Sequence, residues 1–164
     1  MLFECAAPTA LMVASVVRYA IWPMALKAGT DTSIFKAPRA LLEHNANVLM
    51  VLVEIGLLGG LPIRLQDFSV APLFGIVYIF FTWSMSESWV AKTKGPQFIY
   101  FFMDTTLGIK TSLFLLALLG VLSSYYGLFW LASYSICHGG GGVTVNTLMI
   151  ALISSLVCKF SDGW

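Results

Sequence analysis

LLEHNANVLMVLVEIGLLGGLP, residues 41–62, decides how the chain is read. Its second half is almost all hydrocarbon, yet His44, Asn45 and Asn47 stand at one end and Glu54 in the middle. An ionisable group at mid-bilayer costs at least about 2.5 kcal/mol unless it is paired. The stretch therefore reads as a transmembrane helix over about 47–61 with a polar site at its first turn.

Composition fits a membrane setting. Of the 164 residues 59% are hydrophobic and 10% charged, with a mean hydropathy of +0.87; a soluble domain carries about a quarter charged residues. Three further apolar stretches approach the spanning length of about 20 residues: 5–26, which holds Pro8 and Arg18, then 69–85 and 111–131. The expectation is an all-α, polytopic membrane helix bundle of four transmembrane helices, with 143–157 a possible fifth. Residues 1–131 form the bundle. Residues 132–164 form a glycine-rich hinge (SICHGGGGVTVN) and a short apolar C-terminal segment. The first stretch lacks a basic n-region and exceeds signal-peptide length, so it reads as a retained span.

Loop charge sets the orientation. Lys27, Lys36 and Arg39 follow the first span, Arg64 alone follows the second, and Lys92, Lys94 and Lys110 lie between the third and fourth. The positive-inside rule then puts 27–46 and 86–110 on the cytoplasmic side or its topological equivalent. A net charge of +1 without a basic stripe excludes nucleic acid. The expected partners are the lipid bilayer and a lipid ligand, with other membrane subunits in the alternative below. Cys5, Cys137 and Cys158 form no CxxC, so no metal and no cofactor are implied. GxSxG, HExxH and nucleotide-loop patterns are absent from the sequence.

Arg18 lies about eight residues before the end of the first span and Glu54 about eight residues into the second, so both sit roughly 12 Å below one surface. A buried ion pair between Arg18 and Glu54, direct or through a water, removes the cost of both. A protonated Glu54 and a snorkelling Arg18 are the alternatives. At the basic edge, Asn47 shares the side of His44. Ser84, Ser86 and Glu87 end the third span, and Asp104, Thr105 and Thr106 precede the fourth. Asn47, Ser84, Asp104 and Thr105 thereby make a polar mouth above an apolar bundle, which suits a ligand with a polar head and a greasy tail. Neutral His44 is the candidate catalytic base and Thr105 or Ser84 the candidate hydroxyl. Thr9 lies more than about 20 Å from His44 along the membrane normal. A merely solvated or capping His44 is the competing reading.

HNANVLMVLVE places a glutamate ten residues after a histidine that opens an apolar helix; GIVYIFFTW contributes Tyr78, and YFFMD contributes Tyr100, Phe102 and Asp104 before the last apolar helix. In these motifs, over about residues 5–131, the chain resembles the androgen-induced and androgen-dependent TFPI-regulating family of transmembrane hydrolases. The resemblance implies a six-helix membrane fold, fatty acid esters of hydroxy fatty acids as substrates, and His44 as the catalytic histidine. The family carries its nucleophilic threonine on a helix before the matched part, so no nucleophile carries over. The implied protein is a lipid-ester hydrolase relative, active or inactive. From a different class, a non-catalytic small subunit of a large membrane complex, packing against partner subunits, lipids or pigments, suits the same residues.

Overall fold

The computed structural model describes residues 1–59, 61–86, 88, 98, 100–139 and 142–163, without the side chain of Cys137. Glu87, Trp89, Lys92, Lys94 and Pro96 lie outside them. The described residues are helical, without strands. Helix α1 spans Leu2–Lys27, α2 Ser33–Lys36, α3 residues 38–56, α4 Val70–Met85, α5 Ile109–Gly139 and α6 Gly142–Val157. Pro38 opens α3 at its first turn, where a missing N–H costs nothing. Asp31 starts α2 by accepting from the Ser33 N–H at 2.8 Å and its hydroxyl at 2.7 Å. Gly59, at φ +83°, takes the left-handed conformation in the turn beyond α3.

Three helices are long and apolar enough to cross a membrane: Leu2–Lys27, Leu65–Met85 and Ile109–Ile136. The expected span over 47–61 is a correction. Its helix stops at Gly56 and begins nine residues early, at Pro38, so its apolar part is only about 15 Å long. The stretch 143–157 is helical as α6, and α5 continues eight residues past the expected end at Leu131 to Gly139. Between α4 and α5 the described residues make two single 3-10 turns, Phe101–Met103 and Thr105–Leu107.

The bundle closes on an apolar core to which α1 contributes two buried alanines. Ala7, Leu11 and Ala14 of α1 meet Val48, Val51, Leu52 and Ile55 of α3, with Leu122, Tyr126 and Phe129 of α5 filling the third side. Alanines at this spacing let backbones approach, which is the source of helix adhesion where lipid competes for apolar surface. Gly75 does the same for α4 and α5: a Cβ there would lie 2.8 Å from Leu119 Cδ2 and 3.1 Å from Leu122 Cδ2. The outer faces stay apolar, with Leu73 60% and Leu116 67% exposed.

Two adjacent tyrosines of α5 make bonds to the interior. Tyr125 shares a 2.6 Å hydrogen bond with Ser15, and fully buried Tyr126 donates at 2.7 Å to the Arg64 carbonyl, 3.3 Å from a Glu4 oxygen. Helix α5 runs antiparallel to α1, with Leu115 packed in one cluster with Val16 and Tyr126 reaching Glu4, and the Tyr126 bond brings Arg64 to the Glu4 end. The Lys27 end of α1 thus shares one end of the bundle with the start of α3 and the 100–108 segment, while Arg64 lies at the other. Tyr126→Phe leaves the Arg64 carbonyl without this donor, so thermal unfolding in detergent should show a loss of about 1–3 kcal/mol; an unchanged melting curve would remove the bond from the account.

Candidate functional site

Arg18 and His44 each sit in a widened, π-helical turn: Val17–Ile21 in α1 and Leu42–Ala46 in α3. Such turns fit one extra residue into a helix and are frequent at functional sites. Arg39 pairs with Glu43 at 2.7 Å one turn before His44, on an exposed face. The His44 ring is half-buried, and its Nδ1 is sealed from solvent with no hydrogen-bond partner among the described residues. Burial holds the His44 pKa below the ordinary histidine value, with the Glu43 charge opposing it. The ring is therefore neutral at pH 7, as a general base requires.

The other predicted mouth residues spend their polar atoms locally. Asn47 donates to the Glu43 carbonyl at 2.9 Å, and the Ser84 hydroxyl to the Phe81 carbonyl at 2.8 Å. Asp104 caps the turn after it through the Thr106 N–H at 2.8 Å and the Thr106 hydroxyl at 2.6 Å, and Thr105 is exposed. Among the described residues no hydrogen bond joins His44, Asn47, Ser84, Asp104 or Thr105 side chain to side chain.

The Arg18–Glu54 ion pair does not form among the described residues. Arg18 donates instead to the carbonyls of Ser155, at 2.7 Å, and Cys158, where α6 ends. The register explains this. Asn45 exchanges bonds with the backbone of Lys159, so Arg18 is level with Asn45, and Glu54 lies nine residues further along, about 14 Å. Starting α3 at Pro38 shifted the depth assignment.

What the sequence did not reveal is a cavity of about 230 Å³ between α1, α4 and α5. Val13 and Val16 form one wall, Phe74 and Leu118 others, and Tyr100 and Phe102 lie at the turn end. Tyr100 and Phe102 stack at 5.0 Å, and the turn is pinned by the Trp83 indole donating to the Met103 carbonyl at 3.0 Å. Thr9, Tyr78 and Tyr100 are the lining hydroxyl residues; among the described residues no charged side chain and no histidine lines the cavity. The Thr9 hydroxyl is itself buried without a partner among the described residues. Burial raises the Tyr100 pKa, helped by Tyr78 and Glu43, so its phenol stays protonated. The one signal was the aromatic motif pattern, since Tyr78, Tyr100 and Phe102 all line the space. Among the described residues no group of three or more His, Cys, Asp or Glu side chains is gathered to hold a metal ion.

His44 gives the folded state a pH dependence whose sign follows from the depressed pKa. The unfolded chain binds the proton more tightly, so stability is full above about pH 6.5 and falls as pH drops below it. The melting temperature of wild type should fall between about pH 7 and 5 more than that of His44→Gln; parallel curves would refute the assignment.

No protein-family model, no curated protein and no solved structure matches this chain.

Proposed function

We propose that this is a multi-pass integral membrane protein that holds the hydrocarbon chain of a lipid in the cavity between α1, α4 and α5. The supporting observation is the cavity itself. At about 230 Å³ it exceeds the roughly 150 Å³ apolar cavity known to stay dry and take up benzene. Its lining lets it run along α1 from Thr9 to Ile21, about 18 Å. An apolar slot of that length beside a bilayer suits an acyl chain, and its neutral hydroxyls suit an ester or alcohol oxygen better than a carboxylate.

The resemblance to transmembrane lipid-ester hydrolases supplies the chemistry for a finer reading, with neutral His44 as the base. The unpartnered Nδ1 supports availability, but no hydroxyl is within its reach among the described residues. Chain binding therefore stands first, and ester cleavage depends on a hydroxyl brought to His44 by a water, a substrate or another chain.

A neutral acyl ester with a photoreactive group on its chain should label peptides containing Val13 and Leu118. Val13→Phe together with Leu118→Phe should cut labelling about tenfold while the protein still folds. Labelling that ignores the filled cavity counts against the reading. If the ester is also hydrolysed, His44→Ala should lower turnover about 100-fold or more with labelling unchanged.

A further inference from the structure

The two widened turns share a feature that α-helical ladders do not need: their side chains hold the C-terminal segment. From Val17–Ile21, Arg18 grips the carbonyls of Ser155 and Cys158, and the Tyr19 hydroxyl donates to the Leu156 carbonyl. From Leu42–Ala46, the Asn45 carboxamide donates to the Lys159 carbonyl at 2.8 Å and accepts from its N–H at 3.4 Å. The Cys158 thiol lies 3.9 Å from the Asn45 carbonyl, an acceptor inside the widened turn. Beyond this the segment ends in a latch. One Asp162 oxygen accepts from the Trp22 indole at 3.0 Å and the Thr32 hydroxyl at 2.9 Å, and the other meets Lys36. Lys159 lies over the Trp22 ring at 5.3 Å.

A widened turn has poorer hydrogen-bond geometry than an α-turn, so something outside the helix must favour it. Asn45 is 4% exposed, and the partners that keep it inside are atoms of Cys158 and Lys159. His44, its neighbour, has no such partner among the described residues, where its Nδ1 is buried and unbonded. The imidazole is inside because Asn45 is held there, and on its own it gains hydration by leaving.

We propose that docking of residues 155–163 is what keeps the turn Leu42–Ala46 widened, and that release of this strap closes the turn and rotates His44 out of the bundle. Removing one residue's worth of bulge turns the helix before it by about 100° relative to 47–56. The element is two-state: strap docked, imidazole inside; strap free, imidazole in water. The latch is the natural point of release, because Lys36 and Asp162 are each about 40% exposed. This inference does not depend on the lipid reading.

The test is diethyl pyrocarbonate modification of the full chain in detergent, read by mass spectrometry on the tryptic peptide 40–64. His138, which is exposed, and Cys5, labelled with a maleimide, serve as references remote from the strap. Asp162→Asn weakens the latch, and Tyr19→Phe removes one clasp while keeping the ring. Each should speed His44 modification about threefold, the double variant more, with both references unchanged. Nitroxide labels at Leu42 and Met50, 63% and 68% exposed, should change separation in the double variant. Unchanged His44 rates overturn the proposal. So does a parallel rise at His138 and Cys5, which marks general loosening, and so does faster His44 modification with a fixed label separation.

Discussion

A guanidinium inside an apolar helix and the open carbonyls at the end of another helix solve each other's problem. Arg18 sits about 14 Å from the Lys27 end of α1, where a lone cation is costly. The last turn of α6 presents carbonyls without helical donors, at the negative end of its dipole. Placed together, as they are at Ser155 and Cys158, neither remains unsatisfied. Because Arg18 comes from α1, the contact fixes where α6 ends, and that in turn fixes which residues of α3 the tail can reach. The Asn45 bonds, the Trp22 cover and the Asp162 latch all lie downstream of that one placement. Lys36, with the Trp22 and Thr32 donors, holds the Asp162 carboxyl down at about 2, so the latch is ionised throughout the physiological range.

The opposite side of α1 obeys a different constraint. There Val13, Val16 and Val17 face α4 and α5 across the cavity, and the aromatic turn at 101–103 stops one end. The turn is held by polar bonds made at its back: the Trp83 indole reaches the Met103 carbonyl, and the Thr82 hydroxyl lies 3.5 Å from the Met103 sulfur. Its apolar faces are thereby free to line the space. Polar pinning outside and hydrocarbon inside is how a non-helical piece of chain is tolerated beside lipid.

The three membrane-length helices and the all-helical class were legible because they rest on length and hydropathy. The second span was misjudged because hydropathy marks only the apolar part of α3. The polar turns from Pro38 to Ala46 belong to the same helix, and they move every depth estimate by about two turns. That single shift turned Arg18 towards α6 and left Glu54 without an ion-pair partner among the described residues. The bonds of Tyr125 and Tyr126 were not legible for a related reason: an amphipathic ring suits an interface and an internal hydrogen bond equally, and only tertiary partners decide. The widened turns leave no composition signal at all, since they depend on Asn45 and Arg18 finding partners more than a hundred residues away. The cavity was half visible, through motif aromatics whose common neighbourhood the spacing could not give.

Gly75 carries a consequence for the width of the slot. A methyl there would strike the ends of Leu119 and Leu122, so a single hydrogen sets the gauge between α4 and α5. Wedging them apart by that much would open a slit in the wall that the two helices share. The width of the slot on that side is thus set by the smallest residue in its wall.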